Sequence, residues 1–152
     1  MNMYLYIQPI VTEKLEDGYY QTDFQSIVRA GFVVKDDERI VLSEVYKIQA
    51  NTKYLEKISD FTKKKYNIDG SFVRDALPFE NFMTNLDHTI KTYNIDKVYL
   101  YNAIVILNNI RYICDRKNIE FDFSKFVNSD VRLGKLDFNN VAEVLRALII
   151  DK

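Results

Sequence analysis

The sequence predicts an α/β domain: a mixed sheet that starts as an antiparallel three-strand meander and continues as alternating helices and short strands. Three observations predict it. The first third of the chain is β-prone and broken by polar stretches. Beyond it, apolar residues recur at helical spacing. Short apolar runs separate the helical stretches.

Residues 3–11, apolar or β-prone, read as the first strand. A polar connection, Thr12 to Ser26, follows, with Asp17-Gly18 as its turn signal. Ile27 to Lys35 reads as the second strand, Asp36-Asp37-Glu38 as a tight turn, and Arg39 to Gln49 as the third strand. The period then changes. Tyr54, Leu55, Ile58, Phe61 and Thr62 fall on one helical face. Pro78 opens a second helix with Phe79, Phe82, Met83, Leu86 and Ile90 at core spacing. Val98 to Tyr101 reads as a short buried strand. Ala103, Ile106, Leu107, Ile110, Ile113 and Cys114 form one apolar stripe of a longer helix. Phe121 to Phe126 reads as an extended or one-turn piece, and Val141, Val144, Leu145, Leu148 and Ile149 as a last helix.

The 152 residues carry 21 Lys+Arg against 22 Asp+Glu, a formal net charge of -1. The 47% apolar and 28% charged fractions are those of a globular chain and argue against disorder. The near-neutral balance argues against a strongly basic nucleic-acid binder, and leaves room for a local patch. One Cys and one His exclude a Cys/His zinc site and a disulfide framework. Any metal would need oxygen ligands. There is no internal repeat, low-complexity tract or linker, so residues 1–152 read as one domain.

The first residues carry no Lys or Arg before Lys14 and no secretory pattern. The longest unbroken apolar run is about five residues, Ala103 to Leu107, where a membrane span needs roughly 20. The expected setting is therefore cytoplasmic, without a membrane partner, and Cys114 reads as a small core residue. The abundance of Asn, Ile, Lys and Tyr suits an AT-rich genome, that of a low-GC bacterium or its phage.

Four stretches carry a family resemblance. Ile27 to Val34 is similar to a strand pattern I-V-x-I-G-x-V-x. Tyr66-Asn67-Ile68-Asp69 followed by Asp75-Ala76-Leu77-Pro78-Phe79 resembles a T-G-I-T … A-P-x-F connection. Tyr101 to Ile110 resembles H-N-A-x-F-D-x-x-F-L. Arg132 to Asp137, followed by Ala142-Glu143-Val144-Leu145, resembles H-x-A-x-x-D-A … A-E-V-L. Together, and in this order, they resemble the DEDDh (DnaQ-like, proofreading-type) 3′-5′ exonucleases of the ribonuclease-H-like superfamily. The resemblance implies that fold over nearly the whole chain.

The resemblance also implies two-metal phosphodiester hydrolysis, with Mg²⁺ or Mn²⁺ held by four acidic residues and a His as general base. Most of those positions are replaced. Gln8 stands at the first carboxylate position, Ile10 at the second and Ile106 at the third. Arg132 stands at the His position, and Asp137 alone keeps its acid. The expectation is a degenerate member with no catalytic residues and no cofactor, acting as a protein-binding or scaffold module through a partner or self-association. A non-cleaving binder of single strands or nucleotides is the second expectation. An active exonuclease with a non-standard metal site is the third, with Glu13, Asp17 and Asp23, which follow the first strand in the polar connection, as substitute acids.

Several residues have a plainer reading. Asp137 also fits a helix N-cap. Arg132, Lys63, Lys64 and Lys65 could touch phosphates, but a Lys run at a helix end is also favoured by the helix dipole. Adjacent Tyr19 and Tyr20 suit a partner contact. His88 reads as an exposed helix residue away from every motif.

Overall fold

A computed structural model describes residues 1–9, 27–49, 59–129 and 133–150. Its strands are β1 (Asn2–Pro9), β2 (Ile27–Asp36), β3 (Arg39–Lys47), β4 (Lys97–Tyr101) and β5 (Phe126–Ser129). Its helices are α1 (Asp60–Lys65), α2 (Ser71–Arg74), α3 (Phe79–Thr92), α4 (Ala103–Lys117) and α5 (Val141–Ile150). The strands form one sheet in the order β3-β2-β1-β4-β5. β1 pairs antiparallel with β2, and β2 with β3, which is the expected meander. β4 then joins β1 in parallel, and β5 joins β4 in parallel. The predicted mixed sheet with helices on its faces is the one observed.

β1 lies at the centre and is covered on both sides. Met3, Leu5 and Ile7 point to one face, in a core with Ala30, Phe32, Val34 and the apolar stripes of α3 and α4. Tyr4 and Tyr6 point to the other, where Val33 meets Val141, Val144, Leu145 and Leu148 of α5. Gly31 is what lets α5 lie so close. A Cβ there would stand 2.6 Å from Val141 Cγ1 and 2.9 Å from the Glu44 carbonyl oxygen.

Four connections use left-handed asparagines, Asn67, Asn94, Asn102 and Asn118, and the β2–β3 turn uses Asp37 in the same way. Asn and Asp tolerate this region better than other side-chain-bearing residues. With four glycines in the chain, these residues supply the tight turns.

Three local expectations are corrected. Phe61 is 75% exposed, because α1 begins at the Ser59 cap and turns Thr62 inward. Tyr54, Leu55 and Ile58 lie outside the described residues. The fifth strand, Phe126–Ser129, begins only at the last residue of the stretch read as extended. It is four residues long and half polar, too short to show a period. Asp137 is not the cap of α5. Asn140 holds that place, its side chain accepting from the Glu143 N–H at 3.2 Å. Among the described residues, no helix is long and apolar enough to cross a membrane.

Candidate functional site

β1 and β4 are parallel neighbours whose chains leave in different directions, and a crevice opens where they end. This cleft has a volume of about 330 Å³ and is lined by Tyr6, Ile7, Gln8, Lys65, Tyr66, Tyr101, Asn102, Ile106, Phe138 and Asn139. Four separate pieces of chain build it: the end of β1, the end of α1, the β4–α4 junction and the turn before α5.

Gln8 is the centre of a directional hydrogen-bond relay. Its side chain is buried, at 2% exposure, in a strand otherwise apolar or aromatic from Met3 to Pro9. Arg29, its register partner on β2, donates from Nη1 to Gln8 Oε1 at 2.8 Å. A guanidinium can only donate, so it fixes which end of the amide faces it. Gln8 Nε2 therefore donates to Asn139 Oδ1 at 2.8 Å, and Asn139 Nδ2 donates to the Lys65 carbonyl at 2.8 Å. Arg29 also donates to the Tyr66 carbonyl at 2.6 Å and to the Asn67 carbonyl at 2.9 Å. Its guanidinium stands over the Phe72 ring at 4.8 Å. The relay thus ties β1, β2, the end of α1 and the turn before α5 together. Partial burial pulls the Arg29 pKa down from its usual value, and the Asp69 and Asp137 carboxylates oppose that shift.

The register shifts between Gln8 and Pro9, which pair with Arg29 and Ile27. A bulge is where a strand accepts the donor that proline lacks.

Among the described lining residues, Lys65 alone is charged. The Tyr6 hydroxyl donates to the Phe138 carbonyl at 3.2 Å, and burial pushes its pKa well above the usual phenol range. The Tyr101 and Phe138 rings stack with centroids 6.3 Å apart, and Tyr6 tilts against Phe138 at 6.3 Å. Asn102 sits left-handed ahead of α4, and Asn128 of β5 accepts from the Ala103 N–H at 3.0 Å.

The structure brings Gln8 and Ile106 to one cleft, and puts Asp137 directly before the lining residues Phe138 and Asn139. Asp137 is exposed, and its Oδ1 accepts from the Asn139 N–H at 3.0 Å. Lys65, of the three lysines, lines the cleft, with its ammonium 5.5 Å over the Tyr66 ring. Ile10, Arg132, Tyr19 and Tyr20 lie outside the described residues, as do Glu13, Asp17 and Asp23. His88 is exposed on α3, and its Nε2 faces Thr92 Oγ1 at 3.4 Å.

Sequence reading missed Arg29, Asn139 and the aromatic wall. A signal for the first was present: Arg29 and Gln8 are polar interruptions of the apolar runs at 27–34 and 3–9. A polar residue forced inward is more informative than an exposed apolar one.

Among the described residues, the donor set at the cleft does not fit a pair of divalent ions. Such ions need several oxygen ligands, mostly carboxylates. Gln8 has both ends of its amide engaged, Ile106 offers methyl groups, and a guanidinium already stands 2.8 Å from the Gln8 oxygen. Among the described residues, no three Asp, Glu, His or Cys side chains cluster to hold an ion.

No family model and no curated protein matches the chain. Solved structures do. One is a 3′-exonuclease in a structure of 3′-end-specific recognition of a histone mRNA stem-loop. It has a TM-score of 0.55 and 11% identity over 79% of this chain and 43% of that one. Another is the nuclease domain of 3′hExo, a DEDDh family member, bound to rAMP. It has a TM-score of 0.55 and 11% identity over 80% of this chain and 62% of that one. The chain therefore spans 43% and 62% of these two chains, less than two-thirds of either. The likeness establishes the fold: the mixed five-stranded sheet with its helices is the ribonuclease-H-like arrangement of DEDDh 3′-exonuclease domains.

Proposed function

We propose that this chain is a non-hydrolytic module on an exonuclease fold, acting by binding at its cleft as a scaffold or regulatory protein. One observation carries the reading. At the position where the resemblance calls for the first metal-binding carboxylate, Gln8 is locked between Arg29 and Asn139. Two-metal hydrolysis needs paired carboxylates to hold its ions. A neutral amide whose oxygen already faces a fixed cation offers the opposite electrostatics. Ile106, in the same cleft, supports the reading from a second position.

The test is incubation of the purified protein with 3′-labelled single-stranded DNA and RNA in Mg²⁺ and in Mn²⁺. No shortening is expected. Cleavage that disappears in Asp137→Ala would overturn the reading in favour of an active exonuclease with an unusual metal site. Gain of Mn²⁺-dependent cleavage on restoring the set (Gln8→Asp, Ile10→Glu, Ile106→Asp, Arg132→His) would fix the register of the resemblance.

The second reading is a non-cleaving binder of single strands or nucleotides. The rings of Tyr66, Tyr101 and Phe138 beside Lys65 favour it, since bases stack on aromatic faces. The net charge of -1 weighs against it, because affinity for a phosphate backbone is mainly electrostatic. Salt-dependent binding of a short oligonucleotide at low ionic strength decides between the two.

A further inference from the structure

We propose that the cleft is the docking pocket for a peptide segment of a partner protein, one that inserts a large aliphatic or aromatic side chain and carries acidic residues beside it. This rests on the non-hydrolytic reading above and names the partner chemistry of that site.

The pocket's lining is built for an apolar insert. Ile7 and Ile106 reach it from the core at 2% and 3% exposure, and the partly exposed Tyr101 and Phe138 supply stacked rings. Its volume of about 330 Å³ is at the small end for ligand sites and suits one large side chain. Three of the polar groups are already engaged: Gln8 and Asn139 satisfy each other and the protein around them, and the Tyr6 hydroxyl is given to Phe138. Asn102 is left as the one lining amide outside this relay.

The apolar surface continues outside the pocket. Phe61 is 75% exposed and lies one turn before Lys65 on the same side of α1. Val105 is 50% exposed on the turn of α4 between the lining residues Asn102 and Ile106. Neither side chain belongs to a core cluster of the described residues. An aromatic or aliphatic pocket with such a rim is the usual anatomy of a protein anchor site.

Charge selects the flanks of the peptide. Lys63, Lys64 and Lys65 close the last turn of α1, Lys65 lines the cleft, and among the described residues no acid does. Of the nearby described carboxylates, Asp60 is at the opposite end of α1, Asp69 accepts from the Ser71 N–H, and Asp137 has one oxygen engaged by the Asn139 N–H. One lining lysine is too few for an oligonucleotide, whose binding grows with each neutralised phosphate. It is enough to favour an acidic residue next to an apolar anchor.

The experiment pans a display library of short random peptides against the full chain, then measures a fluorescein-labelled synthetic consensus by anisotropy. The expected consensus is a Phe, Tyr, Leu or Ile anchor flanked by Asp or Glu. Lys65→Glu and Val105→Glu, both surface changes, should each weaken it about tenfold or more. Arg39→Glu, on the far edge strand, should leave it unchanged. Failure to enrich any sequence would overturn the proposal. So would a consensus indifferent to Lys65→Glu and Val105→Glu. Tighter binding of oligothymidylate or oligouridylate, abolished by Lys65→Glu, would replace it with the nucleic-acid reading. Cleavage of labelled oligonucleotide overturns the reading beneath. Absence of both cleavage and peptide binding overturns this inference alone.

Discussion

The two faces of the sheet are built from the same strands by different rules. On one face, Met3, Leu5, Ile7, Ala30, Phe32 and Val34 meet α3 and α4 in an aliphatic and aromatic core. On the other, the alternate positions of β1 are Tyr4, Tyr6 and Gln8, those of β2 include Arg29, Gly31 and Val33, and α5 is the covering helix. The first face is dry and continuous. The second is apolar only beneath α5 and becomes polar toward the strand ends, where the cleft opens. The side of a sheet that cannot be fully covered is where buried polar groups can be kept and a ligand admitted.

The largest expected effect falls on the first face. Phe82→Ala removes a ring that is 1% exposed and should cost about 3–5 kcal/mol in urea unfolding. If the cost were equally large for changes around the cleft, the contrast between the faces would collapse. On the second face, Gly31→Val forces side-chain atoms against Val141 and the Glu44 carbonyl. Its expected cost is about 1–3 kcal/mol, with NMR shift changes concentrated in α5. Arg29→Met leaves Gln8 Oε1 and the Tyr66 and Asn67 carbonyls without their donor. Because the site is only partly buried, about 1–2 kcal/mol is expected by thermal unfolding, with shift changes at Gln8, Asn139 and Lys65.

Two smaller effects sharpen the dry side. Burial pushes the Cys114 thiol up to about 11, from an ordinary value of 9.0. A raised acid pKa favours the protonated form in the fold. Its stabilising contribution is therefore complete below pH 9 and fades as pH rises toward 11. Thiol labelling at pH 8 should accordingly be far slower in the native than in the unfolded chain. The smallest effect concerns Glu80, whose carboxylate meets Lys117 at 2.5 Å across α3 and α4. That contact lowers the Glu80 pKa, so its contribution is present above the ordinary glutamate value of 4.5 and lost as pH falls through the shifted one. Both side chains are partly exposed. Lys117→Ala should cost only about 0.2–1 kcal/mol at neutral pH, and less in acid.

The meander, the α3 and α4 stripes and the α5 stripe were legible because each has many residues repeating one period. Phe79, Phe82, Met83, Leu86 and Ile90 were all placed inward correctly, and all are buried. Phe126–Ser129 was not legible as a strand, because it gains its pairing from β4 and has no pattern of its own. Phe61 fits an apolar stripe by spacing, yet the cap at Ser59 sets a different phase. The meeting of Gln8 with Ile106 was implied by family resemblance and by no local signal. The Arg29–Gln8–Asn139 relay depends on residues 131 positions apart being brought together by the sheet and by the turn before α5, a partnership that no window of sequence contains.

The left-handed asparagine before α4 has a consequence for how this molecule can change. Asn102 shapes the turn and also presents its side chain to the cleft. Glycine there would keep the bend and delete the amide. Most other residues would keep a side chain and strain the bend. A position holding two jobs offers few neutral replacements. Asn102→Gly therefore separates architecture from recognition in a single substitution, and any drift in ligand preference that passes through this residue must first be reconciled with the geometry of the turn.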